Sequence, residues 1–195
     1  MTDAALHVLI IDDNAVRASV IEEGLREAGH EKVTVITDMR RLLPQIVQAD
    51  PDVIFIDLEN PNRDVLEQMF QVSRTVHRPV AMFVDQSDTA SIEAAIDAGV
   101  SAYVVNGMHK ERVKPILDMA ISRFNAFHRL RDELDRTKQA LEDRKVIDRA
   151  KGILMKSRGI AEEDAYALLR KTAMNESRRL ADVARSLITA AKLLG

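Results

Sequence analysis

Short apolar runs alternate with amphipathic helical patterns over the first 122 residues of the chain. The apolar run at residues 7–11 stops at Asp12, and similar runs occupy residues 33–36, 53–57, 80–84 and 102–105. Continuous apolar runs of this length are typical of strands that are buried on both faces. Because helical patterns separate the runs, the order predicts an α/β fold with a doubly wound parallel sheet.

Polar residues and a proline indicate where the first two helices of this region begin. Asn14 is positioned to cap a helix that runs to residue 28, with an inner face of Val16, Val20, Ile21 and Leu25. Asp38 opens the next helix, and Pro44 inside it either kinks the helix or marks its true start. The pattern therefore predicts specific helix starts as well as the helices themselves.

A heptad pattern begins at Val113. Its a positions are Val113, Ala120, Phe127, Leu134 and Leu141, and its d positions are Ile116, Arg123, Leu130 and Thr137. Neither Gly nor Pro interrupts residues 116–150, so one long helix is expected, with residues 123–143 as a coiled-coil connector. The pattern favours a parallel dimeric coil. The alternative is a long helix that packs within one chain.

Three helical patterns fill residues 144–195 and predict a small all-α domain. Their apolar faces are Ile147, Ala150 and Leu154, then Ala165, Leu168, Leu169 and Thr172, then Leu180, Val183, Leu187, Ala191 and Leu194. Gly159 and Asn175 mark the two breaks, and Ser177 is positioned to cap the third helix. Gly152 costs helix stability, about 1 kcal/mol relative to Ala, which predicts a close helix contact there.

Charge divides the chain into two parts of opposite sign. Residues 1–122 hold 11 Lys and Arg against 20 Asp and Glu, whereas residues 123–195 hold 17 against 11. An acidic front and a basic tail indicate two modules with different partners, and a polyanion is the natural partner for the tail. The chain has no cysteine, no metal-spaced histidines, no signal-peptide layout and no apolar run long enough to span a membrane, so a cytoplasmic protein is expected.

Three carboxylates are expected to meet at one edge of the sheet. Asp12 and Asp13 follow the first strand, and Asp57 ends the third. Since the carboxyl ends of parallel strands share an edge, three carboxylates there require a divalent cation or a proton between them. The alternative is that Asp12 and Asp13 are only helix-entry caps and Asp57 an ordinary strand-end acid.

On these residues the stretch 1–122 resembles a response-regulator receiver domain, whose fold is flavodoxin-like. The resemblance implies that Asp12, Asp13 and Asp57 form a magnesium site and that Asp57 accepts a phosphoryl group. The sequence shows no nucleophile–base pair, no phosphate-cradling Gly-rich loop and no metal triad beyond this acidic pocket, so an enzyme is not expected.

Two positions depart from the receiver pattern. Receivers carry Thr or Ser at the end of the fourth strand, where this chain has Val84, and Lys followed by Pro after the fifth strand, where it has Asn106 and Gly107. Without the ammonium, the pocket loses the cation that pairs with Asp57 and an incoming phosphate. Lys110 lies nearby in sequence. The substitutions argue against phosphorylation as the switch.

Residues 144–195 resemble the ANTAR domain, the RNA-binding output module of AmiR- and NasT-type transcription antiterminators. The matching residues are Ala150-Lys151-Gly152, Leu154-Met155, Gly159, Ala165-Tyr166, Leu169-Arg170, Ala173-Met174 and Val183-Ala184. Of these, Leu154, Met155, Leu169 and Val183 are expected in the core, and Tyr166 is expected in the core with its hydroxyl exposed. The resemblance implies binding to paired stem-loops in leader transcripts. The basic residues expected to contact RNA are Arg144, Lys145, Arg149, Lys151, Lys156, Arg158, Arg170 and Lys171.

Within this family the chain looks most like the NasT type. That likeness implies a receiver governed by a nitrate- and nitrite-sensing partner protein of the NasS kind, and a role in nitrate assimilation. A homodimer joined through the connector helix would present two tail domains to two hairpins.

Two other functions remain open from the sequence. One is a phosphorylation-controlled response regulator that binds DNA. The second tail helix opens with Ala161-Glu162-Glu163-Asp164, whose acids would repel the phosphates of a DNA groove. The other is a signalling adaptor whose tail serves only as a docking bundle.

Overall fold

The computed structural model describes residues 6–106 and 109–194, and the chain divides after His128 into two compact units. The first unit contains five strands, β1 (Val8–Ile11), β2 (Val33–Ile36), β3 (Val53–Leu58), β4 (Val80–Val84) and β5 (Ala102–Val105). Its helices are α1 (Ala15–Glu27), α2 (Leu42–Ala49), α3 (Arg63–Thr75), α4 (Thr89–Asp97) and the first part of α5 (Val113–Arg158), which a 3-10 turn at Lys110–Arg112 precedes.

The strands form one parallel sheet in the order β2-β1-β3-β4-β5. β1 therefore lies between β2 and β3, and the crossover connections place helices on both faces of the sheet. All strand residues of β1, β3 and β4 are buried, as expected for strands covered on two sides. The predicted doubly wound α/β fold is confirmed.

Two apolar layers cover the sheet. One contains buried residues of α2, α3 and α4, and the other contains α1 together with the first turns of α5. In the second layer, Val113, Ile116, Leu117 and Ala120 pack with α1. Contact is close, since a Cβ on Gly24 would lie 2.8 Å from Val113 Cγ2. The first part of the predicted heptad is thus part of the core of the first unit.

Helix starts in the first unit agree with part of the sequence prediction. The side chain of Asn14 accepts hydrogen bonds from the backbone N–H groups of Val16 and Arg17, so the predicted cap is confirmed. α2 begins at Leu42, which places Pro44 in its first turn, where a missing N–H breaks no helical hydrogen bond. The predicted inner-face positions of Val16 and Val20 are wrong, because both side chains are exposed.

The second unit consists of the remainder of α5, α6 (Glu162–Asn175) and α7 (Leu180–Leu194). Its core is formed by small and branched residues from all three helices, namely Ala150, Leu154, Ala165, Leu169, Ala173, Val183 and Ala184. α5 ends at Arg158, and Gly159 follows with a positive φ of 66°, a conformation that glycine adopts without a Cβ clash. The predicted long helix and three-helix tail are confirmed.

Three details of the tail differ from expectation. Ser177 does not cap α7, because it has a left-handed φ of 52° and lies three residues before the helix starts. Met155 and Tyr166 were expected in the core, yet both are exposed. Neither residue belongs to the buried cluster of the second unit, which is formed by other residues of α5, α6 and α7.

The domain boundaries at residues 122 and 143 stay a prediction. Over residues 6–106 and 109–194, none of the helices combines the length and the apolar character needed to cross a membrane.

Candidate functional site

The sheet brings two of the three predicted carboxylates together at its carboxyl edge. Asp12 directly follows β1, Asp57 lies in β3, and the neighbouring residues Ile11 and Ile56 are paired in register. Asp12 is fully buried and Asp57 is 4% exposed. The side chain of Asp13 is 67% exposed and lies at the rim instead. Parallel pairing of β1 and β3 therefore builds an acidic pocket with two buried carboxylates.

The guanidinium of Arg17, which the sequence pattern did not predict at this site, lies among these carboxylates. The guanidinium of Arg17 donates from Nη2 to Asp12 at 2.8 Å and to Asp13 at 2.9 Å. Its Nη1 donates to Glu59 at 2.5 Å, and its Nε lies 3.8 Å from Asp57 Oδ2. The spacing of Asp13 and Arg17, four residues apart, is the one signal in the sequence that indicates a contact.

Burial controls the ionisation of the pocket. Burial raises the pKa of Asp57 from its ordinary value of 3.8 to about 6, and the nearby charge of Asp12 adds to this effect, while Arg17 opposes it. Hydrogen bonding to Asp12 raises the pKa of Arg17. The guanidinium therefore stays charged and offsets part of the repulsion between the two buried carboxylates.

The carboxylates do not fit a magnesium ion in this geometry. Mg²⁺ needs near-octahedral oxygen ligands at about 2.0–2.1 Å, which the resemblance to receivers implies would come from Asp12, Asp13 and Asp57. Here Arg17 holds oxygens of Asp12 and Asp13. Over the part of the chain that the structure describes, no three His, Cys, Asp or Glu side chains are grouped to hold a metal ion.

The two departures from the receiver pattern are visible in the same region. Val84 ends β4 as a fully buried apolar side chain. Asn106 has a positive φ of 76°, consistent with the predicted tight turn, and its backbone N–H donates to the carbonyl of Asp85. Gly107 lies outside the described residues. Lys110 binds Glu23 and Glu27 of α1, at 2.8 and 2.7 Å, so its ammonium is held there.

The second candidate site is the basic surface of the tail. Of the eight residues expected to contact RNA, three are held by acids of the same unit. Lys145 pairs with Glu142 at 2.7 Å, and Arg144 lies 4.0 Å from Asp148. Lys151 is only 15% exposed and pairs with both Asp148 and Glu162, which joins α5 to the first turn of α6.

The other five are exposed and, within the described residues, make no ion pair. These free cations are Arg149, Lys156, Arg158, Arg170 and Lys171. By contrast, Arg179 and Arg185 are bound to Asp143, which pins α7 to α5. Lys151, Arg179 and Arg185 therefore link different parts of the tail, whereas the five cations without an ion pair among the described residues are available to a ligand.

One face of α5 carries a basic stripe. Lys145, Arg149, Gly152 and Lys156 are spaced by four, three and four residues, which places them on a common side of a helix, and all four are exposed. Apart from its chain neighbours and the backbone of its own helix, a methyl group on Gly152 would meet no atom of the described residues within 4 Å. The predicted close contact at Gly152 within the chain is therefore wrong. The glycine leaves a gap between two cationic side chains.

Comparison with known protein families identifies both regions. Residues 8–118 match the response regulator receiver domain, and residues 135–188 match the ANTAR domain. The first match covers more than half of the chain and includes the acidic pocket. The second includes all eight basic residues expected to contact RNA.

Similar proteins are regulators. The transcriptional regulatory protein PdtaR of Mycobacterium tuberculosis (strain ATCC 25618 / H37Rv) is 30% identical over 184 residues, which cover 93% of this chain and 90% of PdtaR. A nitrate regulatory protein of Klebsiella oxytoca is 38% identical over 76 residues, which cover 39% of this chain and 19% of that protein. The chemotaxis protein CheY of Pseudomonas aeruginosa is 26% identical over 123 residues, 62% of this chain and 99% of CheY.

Solved structures support the fold of the first unit. A response regulator from Thermotoga maritima superposes with a TM-score of 0.53 at 15% identity, covering 61% of this chain and 99% of that one. The chemotaxis response regulator CheY4 of Vibrio cholerae has a TM-score of 0.50 at 21% identity, covering 60% and 99%.

Proposed function

Because the chain belongs to the response regulators that join a receiver domain to an ANTAR domain, we propose that it is an RNA-binding transcription antitermination regulator. Its tail would bind stem-loops in leader transcripts and favour an antiterminator arrangement, so that RNA polymerase reads through. Both matched domains are regulatory. Because leader transcripts are synthesised in the cytoplasm, we propose that the protein acts there.

The observation that carries this proposal is the group of five exposed cations on the second unit that form no ion pair with any described residue. Phosphate contacts supply much of the affinity for nucleic acid, and they require charges that are not already neutralised by the protein. Arg149 and Lys156 flank Gly152 on the basic stripe, so a phosphate backbone can approach the helix between them. Arg170 and Lys171 add exposed charge on α6.

Folded RNA fits this surface better than duplex DNA does. A DNA-reading helix needs base-contacting side chains at its start, yet α6 starts with Glu162, Glu163 and Asp164. These acids stabilise the helix terminus, which has no side-chain cap, and they would repel a phosphate there. Tyr166 is the only aromatic residue after Phe127, so base stacking along a single strand is not available either.

Binding assays with the full chain test the proposal. We expect tight, salt-dependent binding to a leader hairpin, weaker binding to duplex DNA of the same length, and increased read-through in a transcription assay. Equal binding to both nucleic acids would favour the DNA-binding response regulator. Binding to neither at low salt would favour the adaptor and contradict the proposal.

We further propose that the protein is a homodimer joined through α5. Phe127, Leu130, Leu134 and Leu141 continue the heptad beyond the receiver core, and each side chain is more than half exposed. A helix seam of this kind is covered when a second copy packs against it. Two tails in one dimer would bind two neighbouring hairpins with a high effective concentration.

Replacing Leu134 by Asp should convert the dimer to a monomer, because it puts a charge at an a position of the seam. Sedimentation equilibrium of the purified chain measures the mass directly. Glu133→Asp, a neighbouring change on the same helix, should leave the dimer intact. A monomeric mass for the unaltered chain at all concentrations would contradict the proposed coil.

Replacing Gly152 by Ala should change stability and RNA affinity in opposite directions. Ala is favoured over Gly inside a helix by about 1 kcal/mol, and the added methyl meets nothing in the chain, so the free energy of unfolding should rise. The same methyl would obstruct an RNA backbone between Arg149 and Lys156, and hairpin affinity should fall. Thermal unfolding and a binding titration on one preparation measure both effects. Unchanged affinity would show that RNA does not approach this face.

Control by a nitrate- and nitrite-sensing partner protein is proposed from the likeness to NasT-type regulators. The Klebsiella nitrate regulatory protein is similar over 39% of this chain. Affinity capture with the full chain, from cells grown with and without nitrate, tests this partner. The proposed function does not depend on phosphorylation of Asp57, which the receiver resemblance implies and which Val84 and Asn106 argue against.

A further inference from the structure

One guanidinium contacts four carboxylates in the receiver pocket. Those of Asp12, Asp13 and Glu59 accept hydrogen bonds from Arg17, and that of Asp57 lies within 4 Å of it. The four acids come from the end of β1 and from β3 and its following loop, whereas the arginine comes from the first turn of α1. Among the described residues, none of these four acids forms an ion pair with a cation other than Arg17.

We propose that Arg17 is the resident cation of this pocket and that it excludes a divalent metal ion. Its planar fork suits the role, because five N–H donors can bind several carboxylates at once. Asp12 is held through both oxygens, at 2.8 Å from Nη2 and 3.4 Å from Nε. A metal ion would need these same oxygens and would lie beside a fixed positive charge.

Arg17 is held in this position by the local structure. Asn14 caps α1, and its own backbone N–H donates to Asp12 Oδ1 at 2.8 Å, which fixes the carboxylate that Arg17 binds. The side chain of Arg17 is 24% exposed, so water competes only partly for its donors. The positive charge in the pocket therefore belongs to the folded chain itself, whereas a bound metal ion could dissociate.

This assignment changes how the receiver can be controlled. Transfer of a phosphoryl group to Asp57 in a receiver depends on a metal ion that neutralises the arriving charge. With Arg17 in the pocket, the ends of β1, α1 and β3 are linked without a metal. A signal would then reach the receiver through contact with another molecule at its surface.

Metal binding to the full chain, freed of divalent ions, tests the assignment. Thermal unfolding with and without millimolar Mg²⁺ and water-proton relaxation with Mn²⁺ are the two measurements. The unaltered chain should show no metal-dependent change in either. Arg17→Gln should acquire Mn²⁺ binding and a rise of a few degrees in Tm with Mg²⁺, because the freed carboxylates can then bind a cation.

Two further variants complete the design. Arg26→Gln removes a cation from the same helix that, in the described part of the chain, pairs with Glu22 alone, and this variant should remain insensitive to metal. Arg17→Lys keeps a positive charge and should bind Mn²⁺ more weakly than Arg17→Gln. Mn²⁺ binding by the unaltered chain as tight as that of Arg17→Gln would overturn the assignment, and so would a folded Arg17→Gln that binds none. If Arg17→Gln does not fold, the unaltered chain still tests the assignment, because a metal-dependent change in its Tm or in the Mn²⁺ relaxation would contradict it.

Discussion

Reversing the charges of Arg149 and Arg170 together should weaken binding to a leader hairpin by a factor on the order of one hundred at low salt. Each reversal removes an attraction to phosphate and adds a repulsion, and each lost phosphate contact should reduce the slope of log affinity against log salt by about one. Both side chains are exposed, and no acid in the described residues pairs with them. The double variant Arg149→Glu, Arg170→Glu should therefore lose affinity without loss of stability.

Two other charge reversals show whether position matters. Lys192→Glu changes the net charge in the same direction on α7, where the lysine is exposed, and it should have a much smaller effect than Arg149→Glu alone. Lys151→Glu should instead lower Tm, because Lys151 pairs with Asp148 and Glu162. Equal losses of affinity for Arg149→Glu and Lys192→Glu would mean that only net charge counts, and the assigned surface would be wrong.

Replacing Asp57 by Asn should stabilise the receiver above pH 6. Burial and the neighbouring charge of Asp12 raise the pKa of Asp57 to about 6 in the folded protein, and Asp85 adds to this while Arg17 opposes it. The ionised carboxylate is therefore less stable in the pocket than in the unfolded chain. The difference from the ordinary value of 3.8 corresponds to roughly 3 kcal/mol, the most that the substitution can recover.

The sign of this effect determines its pH dependence. Below the ordinary value of 3.8 the carboxyl is protonated in both states, and the substitution should change little. Between 3.8 and about 6 the unfolded state ionises first, so stability of the unaltered chain falls as the pH rises, and the gain from Asn grows. Denaturant unfolding in chelator across this range measures it. Asp97 is an exposed acid on α4, and the control variant Asp97→Asn should show no such trend. If Asp57→Asn lowered the free energy of unfolding above pH 6, the prediction would be contradicted.

The fold could be predicted because the hydrophobic patterns that indicate buried strands and amphipathic helices are visible in short stretches of sequence. The apolar runs that end at Asp12 and Asp57 specify buried parallel strands, and their shared edge follows from that topology. Caps such as Asn14 were predictable for the same reason. Whether a given side chain is buried or exposed was harder to predict at the edges of an apolar stripe. Val16 and Met155, for example, are exposed. There, burial depends on how far the neighbouring helix extends.

The site was predicted less completely than the fold. Arg17 reaches Glu59, 42 residues away, and no sequence pattern connects the two. Lys151 reaches Glu162 across the turn at Gly159, so its ion pair depends on how the chain bends after α5. Contacts of this kind depend on three-dimensional packing. They decide which of the predicted charges are available to a ligand.

The close approach of Gly24 to Val113 has a practical consequence for dividing this protein into fragments. A receiver fragment that stopped before α5 would lose four apolar residues from one side of its sheet and leave α1 without its neighbour. Expression of such a piece should yield aggregates, whereas a piece extending past Ala120 retains that layer intact. Truncation experiments should place the cut accordingly.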